Sequence, residues 1–156
     1  METYMKILQK NIRLCLTAAL ATAVVLIAGC SGMGMGMHDG MMHSPVTLTG
    51  GQEVPPVSTM ATAESTVRVA DDRSVSGSIT TSGIAGTAAH IHIAATGSNG
   101  PVIVPLTKTA DNMFSVPAGA RLSDDQYAAY KAGLLYVNVH SAAHPGGEIR
   151  AQLKAN

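Results

Sequence analysis

In the segment ATAESTVRVA, the small and apolar residues Ala61, Ala63, Ser65, Val67 and Val69 occupy every second position. The spacing returns as Val75, Gly77 and Ile79 in SVSGSIT, and as Ala89, Ile91 and Ile93 in AAHIHIA. It returns again as Leu135, Val137 and Val139 in LLYVNVHS, and as Ile149, Ala151 and Leu153 in EIRAQL. A period of two puts these side chains on one face of an extended strand, whereas a helix needs about 3.6. Gly, Asp, Asn and Pro clusters break the runs at Asp71-Asp72-Arg73, at Gly97-Ser98-Asn99-Gly100-Pro101 and at His144-Pro145-Gly146-Gly147. Short alternating strands with such breaks predict an all-β chain, an antiparallel sandwich or barrel.

One helix interrupts this pattern. Ser123 can cap it, with Gln126 three residues on as in a capping box. Asp124 and Asp125 suit its positive end, and Gly133 suits its exit. The expectation is a short connecting helix over Ser123 to Lys131, with Tyr127 and Tyr130 able to lie over a sheet edge.

The first residues follow different rules. Met1 to Arg13 carries Lys6, Lys10 and Arg13, and Leu14 to Ala28 is an apolar run without a charge. A basic start followed by about 15 apolar residues fits a secretory signal and is short for a bilayer span. The run closes on Leu26-Ile27-Ala28-Gly29-Cys30, which resembles a bacterial lipobox, where the cysteine is lipidated. Residues 1–29 are therefore expected to be a signal peptide and Cys30 a membrane anchor. Ser31, where Asp would suggest inner-membrane retention, points to the periplasmic face of the outer membrane. The other cysteine, Cys15, lies within the signal, so the remaining chain has no disulfide and depends on its core.

Residues 30–44 read as a flexible tether rich in Gly, Met and His, and residues 45–156 as one folded domain. Within the tether, Met33, Met35, Met37, His38, Met41, Met42 and His43 could take up soft ions such as Cu(I). From Ser31 onward there are 7 Lys and Arg against 9 Asp and Glu, no Trp and one Phe. That balance argues against a nucleic-acid partner.

Strand alternation also sorts the polar residues. With Ile91 and Ile93 inward, His90 and His92 point out of the core; Asn138, His140, Glu148, Arg150 and Gln152 follow the same rule. Residues i and i+2 on a strand stand about 6.5 to 7 Å apart. Two imidazoles at that spacing can converge on one ion at about 2.0 Å, with His140 as a third ligand from another strand and His144 or Glu148 as additional ones. Imidazole suits copper and zinc alike. The competing expectation is a solvated sheet face whose histidines are incidental. Glu53, before Val54-Pro55-Pro56-Val57, could be a carboxylate in a site, but such a Glu more often holds its loop by accepting backbone hydrogen bonds. No nucleophile elbow, catalytic thiol or phosphate loop is present.

The segments LTGGQEVPPVSTMATA, AAHIHIAATGSNGPVIVPL and GLLYVNVHSAAHPGGEIRAQL together resemble the CHRD (chordin-type) domain over about Val46 to Leu153. The resemblance implies an antiparallel Greek-key β-sandwich, immunoglobulin-like or related, and attaches no firm activity. A fainter likeness is to Cu/Zn superoxide dismutase, a Greek-key β-barrel. It would make His90, His92 and His140 copper ligands and Arg150 an anion-guiding residue. No histidine lies between His92 and His140, and no cysteine pair fixes a loop; these departures weigh against dismutase activity and not against a mononuclear copper site. The expectation is an exported, lipid-anchored module that binds copper. A structural or adhesive protein-interaction module without metal is the alternative, and an enzyme of the dismutase kind a distant third.

Overall fold

The structure is a computed structural model that describes residues 44–155. The expected signal peptide, Cys30 and the methionine-rich stretch through His43 lie outside the described residues.

Eleven strands and one helix follow in order: β1 Val46–Thr49, β2 Thr62–Ser65, β3 Arg68–Val69, β4 Val75–Ser76, β5 Ser78–Ser82, β6 Gly86–Ile93, β7 Val102–Pro105, β8 Thr107–Ala110, β9 Met113–Ser115, α1 Asp124–Lys131, β10 Leu135–Ser141 and β11 Ile149–Gln152. Nine of the strands form one antiparallel sheet in the order β7-β6-β10-β11-β1-β2-β5-β9-β8, and β3 pairs with β4 alone. The end strands β7 and β8 are separated in the chain by Leu106 only. Leu106 N–H donates to Ala89 O on β6 (2.9 Å), and Lys108 Nζ donates to Gly86 O (2.9 Å). The two ends of the sheet therefore meet over β6, and the sandwich is nearly closed into a barrel. The first strand is inserted between β2 and the last strand, with Thr49 opposite Arg150.

Alternation placed most of the core; Gly77 and Ile93, also expected inward, are only half-buried. Ala61, Ala63, Ser65, Val67 and Val69 are buried, as are Val75, Ile79, Ala89, Ile91, Leu135, Val137, Val139, Ile149, Ala151 and Leu153. Phe114, fully buried, fills the middle of this set together with Leu48 and Leu122. The helix begins with the anticipated capping box between Ser123 and Gln126. It ends in a Schellman motif: Gly133 N–H donates to Tyr130 O and Leu134 N–H to Ala129 O, with Gly133 at φ +72. That left-handed conformation is cheap only for glycine. Tyr130 is buried against the sheet and donates to Lys154 O at 3.1 Å.

The opposite polar face corrects an expectation. His92 (7% exposed), Asn138 (2%) and Arg150 (2%) are not solvated, and Glu148 is buried too. Three connections fold over that side of the sheet: the segment after β1, the β6–β7 loop and the β10–β11 turn. Alternation tells which side of a strand a residue takes, and says nothing of a loop that later covers that side. The loops are stitched down by the polar side chains themselves. Arg150 donates to Ser98 O (2.9 Å) and Ala95 O (3.3 Å), Gln152 to Ala94 O (2.9 Å), and Asn99 Nδ2 to Val54 O (2.6 Å). This face is a second, polar interior.

Candidate metal centre

Antiparallel pairing of β6 and β10 sets Asn138 opposite His90 and Tyr136 opposite His92. On β10 the residues Tyr136, Asn138 and His140 alternate with the core residues Val137 and Val139, so they share the covered face with the two β6 histidines. One nitrogen from each of His90, His92 and His140 lies within 4.8 Å of those from the other two. His90 Nδ1 is 3.0 Å from His140 Nε2.

Backbone carbonyls decide how two of the rings are protonated. His92 Nδ1–H donates to Gly100 O (2.9 Å), and His140 Nδ1–H donates to Pro145 O (3.0 Å). A carbonyl only accepts, so Nδ1 of each ring carries a proton, and a ring in its neutral form then keeps its lone pair on Nε2. Those lone pairs, with Nδ1 of His90, face a common centre. Holding the far nitrogen of a ligating imidazole is how proteins orient metal-binding histidines. Burial, helped by repulsion from His140 and His92, holds His90 below the ordinary value near 6.5. Burial also lowers His140, aided by His92 and opposed by the Pro145 hydrogen bond. Both effects keep the rings neutral and able to coordinate.

The surroundings are rigid. The His92 ring stacks on Tyr136 at 4.7 Å and 4° between planes. The Arg150 guanidinium lies 3.4 Å from the centroid of the same Tyr136 ring. Arg150 Nη1 also reaches Asn99 Oδ1 (3.3 Å), and Nη2 reaches Gln152 Oε1 (3.4 Å). Its terminal donors are thus committed to the β6–β7 loop and to Gln152, the arrangement of a clamp rather than of a free guide for anions.

The remaining anticipated residues take other places. Glu148 Oε1 accepts from Thr59 Oγ1 (2.8 Å) and Oε2 from Ser141 Oγ, so this carboxylate holds the segment after β1 to the end of β10. His144 lies in the β10–β11 turn, where its N–H donates to Ser141 Oγ (3.2 Å), and it lines a shallow groove with Glu53, Asn99 and Gly147. Neither belongs to the three-histidine cluster among the described residues.

Two further residues matter here: Asn138, which the sequence did not single out as a site residue, and Glu53, for which loop holding was the stronger expectation. The Asn138 carboxamide oxygen lies 3.0 Å from both His92 Nε2 and His140 Nε2. Glu53, weighed as a loop holder, is 4% exposed, and its Oε1 has no hydrogen-bond partner. Burial raises its pKa, opposed by the charge of Arg150, the Val54 N–H and Asn138. The legible signal for Asn138 was its position two residues before His140, on the same strand face.

A nearly closed antiparallel sheet with three histidines under its loops defines an all-β domain with a potential cation site. The CHRD-domain family model matches residues 44–153, and the chain belongs to that family. No curated protein matches, and no solved structure matches, so the fainter likeness to superoxide dismutase gains no support from either.

Proposed function

We propose that this CHRD domain is a mononuclear metal-binding module, with copper as the ion and His90, His92 and His140 as ligands. The observation that carries the reading is the convergence of three imidazole nitrogens, two of them fixed as lone pairs by backbone carbonyls behind the rings. Three nitrogen donors suit Cu(II) and Zn(II). The module acts in the cell envelope, lipid-anchored through Cys30 at the periplasmic face of the outer membrane. The tether of Met33, Met35, Met37, His38, Met41, Met42 and His43 serves as a second, softer collecting site for Cu(I).

The experiment is titration of the full chain with Cu(II) near pH 7.5, wild type against His92→Ala. Both proteins keep the tether, so their difference reads the domain site. Loss of one of three ligands should weaken binding at least about a hundredfold. Binding should also fade as pH falls through the lowered values of His90 and His140, where each imidazole takes up a proton and loses its lone pair.

A second reading has its own observation. His92 and His140 each hold a loop by a carbonyl, which a purely structural or adhesive protein-interaction module would also require. Equal copper affinity in wild type and His92→Ala selects that reading.

A further inference from the structure

The Asn138 side chain sits between two groups with opposite demands. On one side, His92 Nε2 and His140 Nε2 carry lone pairs and face the same terminal atom of the carboxamide at 3.0 Å. On the other side lies the buried Oε1 of Glu53, which has Asn138 Nδ2 as its polar neighbour but no well-formed hydrogen bond. Gly147, at φ +127, leaves the space in which they meet. A Cβ there would stand 2.5 Å from Glu53 Oε1 and 2.8 Å from Asn138 Nδ2.

A half turn of the carboxamide exchanges its two terminal atoms, and each orientation satisfies a different state. With the amide NH2 toward the rings, it has one hydrogen for each lone pair. The carboxamide oxygen then faces Glu53 Oε1, and two oxygens meet favourably only if a proton lies between them, so Glu53 is a neutral acid. With the oxygen toward the rings, the orientation this structure has, positive charge must stand at the ring nitrogens to attract it, so the carboxamide is placed here as an occupied site would hold it. The NH2 then faces Glu53 Oε1, which accepts as a carboxylate. A cation on the three histidines supplies that charge.

We propose that Asn138 turns over when a cation occupies the three histidines, and that this makes Glu53 release its proton to solvent. The inference rests on the metal-binding reading and makes Glu53 and Asn138 positioning residues rather than ligands. The exchange balances: one cation enters, the O–H bond of Glu53 breaks, and one proton leaves. The net charge of the site then rises by one for a divalent ion instead of two. A buried site takes charge more cheaply when the added charge is smaller. The other charged or titratable groups around Glu53 are Arg150 from β11, His144 across the groove and the three histidines behind Asn138. Arg150 favours the carboxylate, and its donors stay on the β6–β7 loop in both orientations.

The test uses the full chain and Zn(II), which has no redox chemistry. Infrared difference spectra of wild type should show a protonated-carboxyl stretch without zinc that disappears on zinc addition. Glu53→Gln should lack that band. Proton release per zinc, measured calorimetrically in buffers of different ionisation enthalpy from pH 5 to 7.5, should be greater in wild type than in Glu53→Gln. The excess should approach one proton over part of that range. Absence of the carboxyl band in zinc-free wild type overturns the inference without any variant. Zinc binding with equal proton counts in both proteins overturns it while the metal site stands. If wild type takes up no zinc that His92→Ala fails to take up, the metal-binding reading falls and this inference falls with it.

Discussion

The guanidinium of Arg150 and the ring of Tyr136 lie 3.4 Å apart, and the opposite face of the stack is His92. The β6–β7 loop, which supplies the carbonyl for His92, is itself held by Arg150. Arg150→Lys keeps the charge but cannot present a planar fork to several acceptors. It should leave buried carbonyls unpaired and lower stability by about 2 to 4 kcal/mol. Urea denaturation checks this, and a loss below about 0.5 kcal/mol would show that the clamp is dispensable.

Gly147 combines a left-handed backbone with a close approach to Glu53 and Asn138. Gly147→Ala should cost about 1 to 3 kcal/mol from conformation alone. It should also weaken metal binding, because the added methyl pushes on the side chain behind two ligands. Thermal melts and a zinc titration read the two effects separately.

Glu148 tests the division between loop holding and coordination. Thr59→Val removes a donor from a buried carboxylate and should destabilise by about 1 to 3 kcal/mol. Metal affinity should stay within about twofold, as it should for His144→Ala. A large affinity loss in either would return that region to the ligand set.

Acid should weaken the fold through the histidines. His90 and His140 take up protons at lower pH in the folded chain than in the unfolded one. Their contribution is therefore fully present above about 6.5 and is lost as pH falls from there through their lowered values. Glu53 acts in the opposite sense: its raised value means stability present below about 4.5 and lost as pH rises through the folded value. Urea midpoints between pH 7.5 and 5 should fall for wild type, and His90→Gln should flatten the decline. An unchanged slope in the variant would remove His90 from the account.

Cys30→Ala should move the protein from the membrane fraction to the soluble fraction. Mass spectrometry of the wild type should show the lipid; an unmodified Cys30 would end the anchor reading.

Much of this molecule could be read before any coordinates. Alternation identified the inward residues of β6, β10 and β11, because Ala89 and Ile91, Leu135, Val137 and Val139, and Ile149 and Ala151 line apolar faces. It also set His90, His92 and His140 on a common type of face. It missed β8, whose residues Thr107 to Ala110 are all exposed and carry no periodic signal. It missed β1, β7 and β9 as strands, since each buries too few side chains to show an apolar repeat. The larger error concerned solvent. Nothing local distinguishes a polar face in water from one under a loop, since Ser98, Ala95 and Gly100 take part through their backbones. The Asn138–Glu53 contact was equally hidden, because 85 positions separate the two residues and only the β1–β11 pairing brings their elements together.

That pairing also governs when the domain can come into being. Thr49 finds Arg150 only after almost the entire sequence between them is available. A chain emerging N-terminus first therefore carries β1 without its neighbour on one side until β11 arrives, and closure of so long a loop is slow. Such a chain stays open along its length and commits to its shape only when its last strand is present. A version truncated before Ile149 should remain open, with a disordered circular-dichroism spectrum, whereas a folded spectrum would mean that the last strand is an accessory.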